Sequence, residues 1–377
     1  MHYFEYATKD TTLYENSGSR NTGLDEILEV RKDMNAAGTV VNVSRALIKF
    51  DLTYISESIN SGLITNPTYY LNLYDANSTG LNVSQNLYAY PVSQSWENGS
   101  GREDSNPAIE DGCGWFYKDN GTTKTQWTSE MTSSGGTWYT GSDGQYTLEA
   151  SQSFTNEPSD VRMDVSGIVN NWIYSGSTYP NEGFMLKRTG SLGNTDTSLD
   201  EGSTTHLGHF SFFSRETHTI YQPRLEVVWD DSKWTTGSLS ALSNTDLEDV
   251  QIYQRGLKRQ YKENSKVKLR VVGRERYPEK TFSATAGYST GYTTVKYLPS
   301  GSTYYQIRDA YTGDIIVPFG SGSVVSCDST GNYFNLWMNG LLAERFYRVE
   351  YKIVSGSGTA DETIQYFDEL SSFKVVR

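Results

Sequence analysis

Four tryptophans, Trp96, Trp115, Trp127 and Trp138, fall in one stretch between residues 93 and 147 that is otherwise rich in Gly, Ser, Asn and Asp. A flat ring with one polar edge gives a large contact area at little entropic cost, so Trp and Tyr on an open loop stack on sugar faces or anchor a protein interface. Trp96 and Trp115 lead that set. The alternative is that all four rings plug the end of a sandwich beneath long loops. Other reactive residue types are badly spaced. His206 and His209, at i and i+3, point to opposite faces of a strand, and His218 lies nine residues on, so a metal site there requires a bulge. Glu110, Asp111, Asp196, Asp200 and Glu201 sit in polar stretches and read as solvated, with no two singled out as a glycosidase pair. Asp10, near the first strand, is a weak candidate for a structural calcium, by analogy with lectin-like sandwiches. Cys113 and Cys327 are too far apart in sequence to suggest a disulfide framework or a metal-ligand pair, and read as ordinary thiols. The chain has no phosphate-cradling Gly loop, nucleophile elbow, HExxH or CxxC spacing. The expectation is a non-enzymatic protein with no cofactor beyond that calcium.

The elements that would carry these residues read as strands. In "SRALIKFDL" (44–52), Ala46, Ile48, Phe50 and Leu52 share one face at period two, while Arg45, Lys49 and Asp51 fall on the other and read as the wet side of a scaffold strand. "TTLYE", "LDEILEV", "YYLNLYDAN", "NEGFMLKR" and "PRLEVVW" read as further strands. "DVSGIVNNWI" (164–173) is the one helical pattern, with Val165, Ile168, Val169 and Trp172 at i, i+3, i+4 and i+7, and Asp164 or Ser166 as its cap. "DDSKWTTGSLSALSNTD" has linker composition. Beyond it, "KVKLRVVGRE", "STYYQIRDA", "DIIVPF", "YFNLWMNG", "FYRVEYKIV" and "SSFKVVR" recur at the spacing of a small immunoglobulin-like sandwich.

Composition agrees with this organisation. The 377 residues suit two domains, and 34 Gly and 28 Tyr with abundant Ser, Thr and Asn favour short strands and turns. The net charge of −13 is uneven: 14 basic against 29 acidic residues in 1–230, and 18 against 16 in 231–377. An acidic surface repels phosphate backbones, which argues against direct nucleic-acid binding. No segment has the length and apolarity of a membrane span, and the start, MHYFEYATKD, lacks a secretion-signal pattern, so neither membrane insertion nor export is expected.

Six pieces in order, "SRALIKFDL", "SQSWENGSG", "DVSGIVNNWI", "NEGFMLKR", "FFSRET" and "PRLEVVW", resemble the DNRLRE domain, a β-sandwich module of cell-surface, extracellular and viral particle proteins. "VVGRERYPEKTF", "YLPSGSTYYQIRDAYTGDIIVPF" and "CDSTGNYFNLWMNGLLAERFYRVEYKI" resemble a C-terminal module of virion structural proteins from T4-like marine phages, the cyanophages. The resemblance implies an all-β chain: a jelly-roll-like sandwich with one short helix over 1–230, a linker over 231–245, and an immunoglobulin-like sandwich over 246–377. It also implies a phage virion structural protein of the tail, neck or baseplate, made in the host cytoplasm. Its partners would be other virion proteins, in multiple copies on a symmetric particle. The alternatives are a tail adhesin binding host surface glycan through the loop tryptophans, a polysaccharide-active enzyme, and a bacterial surface protein, the last disfavoured by the missing secretion signal.

Overall fold

The computed structural model describes the chain apart from residues 122, 129–134, 189–200, 243–248, 278–281, 284–286, 289–294, 357, 359 and 361. The fold is all-β, of β-sandwich type, and divides into two compact units. The N-terminal unit comprises Glu5–Ser61 and Thr68–Val227. The C-terminal unit comprises Val228–Arg377 with Met1–Phe4 and Gly62–Pro67.

The first twelve strands are β1 (His2–Tyr14), β2 (Ile27–Met34), β3 (Val40–Phe50), β4 (Thr68–Leu73), β5 (Gln85–Pro91), β6 (Tyr117–Asp119), β7 (Thr125–Gln126), β8 (Ala150–Phe154), β9 (Val161–Asp164), β10 (Phe184–Lys187), β11 (His209–Phe213) and β12 (Arg224–Val228). All but β6 and β7 join one hydrogen-bonded system, whose main path runs β8-β5-β10-β3-β1-β12-β4-β9, with β2 bridging β3 and β11. Strand β3 is its hub. It pairs antiparallel with β1 (Asp10↔Ile48, Tyr14↔Ser44) and β10 (Phe184↔Ile48, Leu186↔Ala46).

The expected inner face of β3 is buried: Ala46 and Ile48 are wholly inaccessible and Phe50 nearly so. Its other face departs from the sequence expectation, because Val43, Arg45 and Leu47 are buried too. A second core covers them. It is built from Leu13, Val43, Leu47, Tyr90, Val92 and Met185 of the strands and their ends, and from Trp96, Cys113, Trp115, Trp127 and Trp138 of the 93–138 segment. Only Lys49 and Asp51 keep the exposure that alternation predicts.

Two α-helices occur among the described residues: α1 (Thr53–Asn60) and α2 (Ser166–Tyr174). Helix α2 was legible; Val165, Ile168, Val169 and Trp172 are buried as its spacing predicts, and Asp164 accepts the Ser166 N–H at 2.9 Å. Helix α1 was not. It begins where the Asp51 carboxylate, at the end of β3, accepts the Thr53 N–H at 2.9 Å and the Thr53 hydroxyl at 2.6 Å, and it buries Ile55.

The C-terminal unit contains β13 (Val250–Arg255), β14 (Gln260–Lys262), β15 (Lys266–Glu275), β16 (Phe282–Ser283), β17 (Gly287–Tyr288), β18 (Thr303–Asp309), β19 (Ile315–Val317), β20 (Ser326–Asp328), β21 (Gly331–Trp337), β22 (Phe346–Ser355) and β23 (Thr363–Val376). They form a four-stranded sheet, β13-β15-β21-β20, a five-stranded sheet, β14-β23-β22-β18-β19, and the separate β16–β17 pair. Inward residues of both larger sheets, among them Leu269, Val271, Phe334, Leu336, Tyr305, Ile307, Val349 and Phe373, form one core. Tyr305 stacks on Phe334 at 4.0 Å between ring centres.

The 231–245 segment, expected as a linker, is fastened to this unit wherever it is described. Trp234 bridges to Cys327, the Thr235 N–H donates to the Cys327 carbonyl at 3.0 Å, and Tyr297 donates its N–H to the Ser240 carbonyl and accepts the Leu242 N–H, each at 3.0 Å. Its polar composition reflects backbone pairing at a sheet margin rather than a free tether.

Candidate interaction surfaces

The four loop tryptophans are placed inward. Trp96, Trp115, Trp127 and Trp138 are each less than 10% exposed, at 2%, 4%, 7% and 7%. Trp96 Nε1 donates to the Glu182 carbonyl at 2.8 Å and Trp127 Nε1 to that of Gly114 at 3.0 Å. Sugar stacking through these faces is overturned; the rings are the roof of the second core.

What they roof is a charge cluster that the sequence reading put in water. The Arg45 guanidinium lies 4.7 Å from the Trp115 ring centre and 5.1 Å from that of Trp138. Its Nη1 donates to the Gly135 carbonyl at 2.7 Å, and Nε and Nη2 grip Glu201 at 3.2 and 2.7 Å. Lys187 Nζ stands 3.8 Å from Glu201 and 4.4 Å from the Trp138 ring centre. Burial alone would raise the Glu201 pKa, but Arg45, Lys187 and Arg188 outweigh it and hold the carboxyl down at about 2. Gly135 is required here: at φ +103 its Cβ would stand 2.6 Å from the Arg45 Nη1 and 2.8 Å from Trp115.

The "SQSWENGSG" segment is tied down by a pair of asparagines that sequence reasoning missed. Asn21 Nδ2 donates to the Asn98 and Cys113 carbonyls at 2.7 and 3.0 Å, while its Oδ1 accepts the Gly101 N–H at 2.8 Å. Asn98 returns Nδ2 to the Gly23 carbonyl at 2.8 Å and accepts the Asp10 N–H at 2.9 Å. The cluster of glycines around these amides was the available signal, since a Cβ on Gly99, Gly101 or Gly112 would strike Asn21.

Asp10, the calcium candidate, is buried at 1% exposure and its Oδ2 accepts the Arg215 N–H at 2.6 Å. Burial pushes its carboxyl up to about 7, against the lowering pull of the Arg215 N–H and charge. Among the described residues no group of three His, Cys, Asp or Glu is placed to hold a metal ion. His209 instead pairs with Asp33 at 2.9 Å and His218 approaches Glu26 at 3.6 Å. Of the loop carboxylates, Asp111 accepts from the Ser100 N–H at 2.9 Å, Glu110 stands 3.9 Å from Lys124, and Asp196 and Asp200 lie outside the described residues. A separate acidic concavity of about 600 Å³ is lined by Asp25, Glu26, Glu29, Glu103 and Asp104, with Arg102 and Tyr14. There, burial first and then Glu103 and Asp104 raise Asp25 to about 6, although the Glu103 N–H pulls the other way.

Open aromatic side chains occur singly on the N-terminal unit, at Tyr54, Phe116 and Tyr174, and as a row on the C-terminal unit. Along β22, Tyr347, Val349, Tyr351 and Ile353 are buried, so Phe346, Arg348, Glu350, Lys352 and Val354 face outward. Register aligns Tyr304, Lys352 and Tyr366 in one row across β18, β22 and β23, and Gln306, Glu350 and Asp368 in the next. Lys352 Nζ lies 4.8 Å from the Tyr304 ring centre and 5.3 Å from that of Phe319, which packs against Tyr366 at 5.9 Å. Tyr366 is 63% exposed and Ile364 47%. Behind this row, Glu350 accepts from Gln306 at 2.8 Å and pairs with Arg308 at 3.1 Å, and Arg348 faces Asp368 at 3.8 Å.

No family model matches the chain, and no curated protein matches it. Among solved structures, an FMN-binding beta-glucuronidase from Facaelibacterium prausnitzii L2-6 aligns with a TM-score of 0.16 and 8% identity, over 98% of this chain. The chain spans 39% of that protein's length. A likeness at this level bears on neither the fold nor the activity of this chain.

Proposed function

We propose that this chain is a non-enzymatic structural protein of a tailed-phage virion, held in the tail, neck or baseplate region through protein–protein interfaces. The observation that carries the interface part of this reading is the open row Tyr304–Lys352–Tyr366 with Phe319 and Ile364. It combines exposed aromatic and aliphatic area with Arg308 and Arg348 alongside, and aromatic side chains and Arg are the types enriched at protein interfaces. The sequence resemblance to particle proteins supplies the setting, and repetition of such a surface around a symmetric particle would add avidity. The polar side chains of the row would fix register while the rings contribute most of the contact energy.

Cryo-electron microscopy of purified particles tests this. The expected result is an ordered ring or layer in which Tyr366 and Phe319 are buried against another virion protein or another copy. Absence from the particle overturns the reading, and so does a position in which this sheet face is bare.

A further inference from the structure

The outward face of β18, β22 and β23 continues past the aromatic row in an order that the register fixes. Next to Tyr304–Lys352–Tyr366 lies the acidic row with Glu350 and Asp368, then a basic row that aligns Arg308, Arg348 and Ser372, and last Phe346 beside Lys374. β22 is the middle strand of its five-stranded sheet, so the centre of the face presents Lys352, Glu350, Arg348 and Phe346 in succession, about 6.8 Å apart. Phe346 is 42% exposed. Among the described residues Lys352 meets rings and no carboxylate, and Arg348 stands 3.8 Å from Asp368, too far for a hydrogen bond. Glu350 sets Oε1 against Arg308 and Oε2 against Gln306, and each carboxylate oxygen can accept once more.

This order of charges is complementary to itself. A second sheet laid on the first and turned about a two-fold axis, running across the strands between the Glu350 and Arg348 rows, sets β22 against β22 in the opposite direction. Glu350 of each copy then faces Arg348 of the other, and Lys352 faces Phe346 as cation and ring. On β23 the same turn puts Tyr366 opposite Lys374. A two-fold axis along the strands would instead set Lys352 on Lys352 and Arg348 on Arg348, and a partner of uniform sign would be repelled by one of the two charged rows. Face-packed sheets lie about 10 Å apart and roughly 30° askew, so the match matters most on β22, at the centre. We infer that this face pairs with a second copy of the chain through a two-fold axis between the Glu350 and Arg348 rows. The inference names the partner for the interface proposed above; it rests on that reading of the face and not on the virion setting.

Sedimentation velocity of the full chain, from about 1 µM to about 1 mM, tests this. The expected result is a monomer–dimer equilibrium that Glu350→Arg and Arg348→Glu each weaken by about tenfold or more, since each sets like charges across the axis. An equimolar mixture of the two variants should associate as tightly as the unaltered chain, because in the mixed pair every arginine again faces a glutamate. Weakening without that rescue overturns the inference, and so does a chain that stays monomeric throughout. A monomer in solution leaves the particle interface to its own test, in which a different protein would cover the face. Where either variant fails to fold, Phe346→Lys, at an exposed position, brings two ammonium groups together and should weaken the dimer by a similar factor. An unchanged dimer in that variant overturns the inference.

Discussion

Among the described residues, two places set a cation between aromatic rings, and they differ in nearly everything else. In the N-terminal unit Arg45 lies between Trp115 and Trp138, sealed from water and gripped by Glu201. In the C-terminal unit Lys352 lies between Tyr304 and Phe319 on an open sheet face. The composition of the two sites is similar, and what separates them is how the charge is satisfied. Arg45 has a carboxylate, a carbonyl and two ring faces as substitutes for water, which permits burial. Lys352 has ring faces and solvent, which permits a partner to arrive. Aromatic density along a chain therefore does not identify a binding surface until the fate of the neighbouring charges is known.

The comparison can be broken most directly at Arg45. Arg45→Ala leaves Glu201 buried beside a cavity, and the N-terminal unit should lose about 3–5 kcal/mol in urea denaturation. A loss under about 1 kcal/mol would mean that the cluster is hydrated in solution. Replacing Arg45 and Glu201 together by Met should cost less than the sum of the two single changes, because neither is left facing the other's empty place, although Lys187 loses its carboxylate neighbour; a double-mutant cycle reads that coupling directly. The cluster is also acid-sensitive. Because Glu201 is held at about 2 in the folded chain, below its ordinary 4.5, its stabilisation is present above about pH 4.5 and fades as pH falls toward 2.

A smaller effect of opposite sign belongs to Asp10. Its folded pKa of about 7 exceeds the ordinary 3.8, so the folded state favours the protonated acid and stability falls as pH rises from about 4 to 7. Asp10→Asn should raise the melting temperature at pH 8 by roughly 3–6 °C, for a gain of about 1–2 kcal/mol, and leave it nearly unchanged at pH 4. Thermal denaturation at the two pH values measures this. The smallest expected change in stability is on the open side of the comparison. Tyr366→Ala should shift unfolding by no more than about 0.5 kcal/mol. On the virion role proposed above, incorporation of the same variant into particles, followed by mass spectrometry, should nevertheless drop severalfold. A stable variant incorporated normally would remove Tyr366 from the interface.

Much of the fold could be read in advance because the strands announce themselves by alternation. β15 spans Lys266–Glu275, the full extent of "KVKLRVVGRE", and α2 buries the residues that its period picks out. Alternation misled on β3, since it reports which side chains share a face and not whether a distant loop covers the opposite one. The covering segment begins about forty residues downstream and has almost no regular structure of its own, so neither propensity nor periodicity connects it to Arg45. Helix α1 escaped notice because its eight residues offer little apolar periodicity and its start is fixed by the Asp51 carboxylate, just past the end of β3, on Thr53.

Cys113 gives the tryptophan roof a built-in clock. Its sulfur is inaccessible within the second core, its own N–H is tied to the Glu97 carbonyl at 2.8 Å, and burial pushes the thiol well above its ordinary range. A buried, protonated thiol is inert to alkylation until the segment above it lifts, so the labelling rate under native conditions counts how often the roof comes away from the sheet.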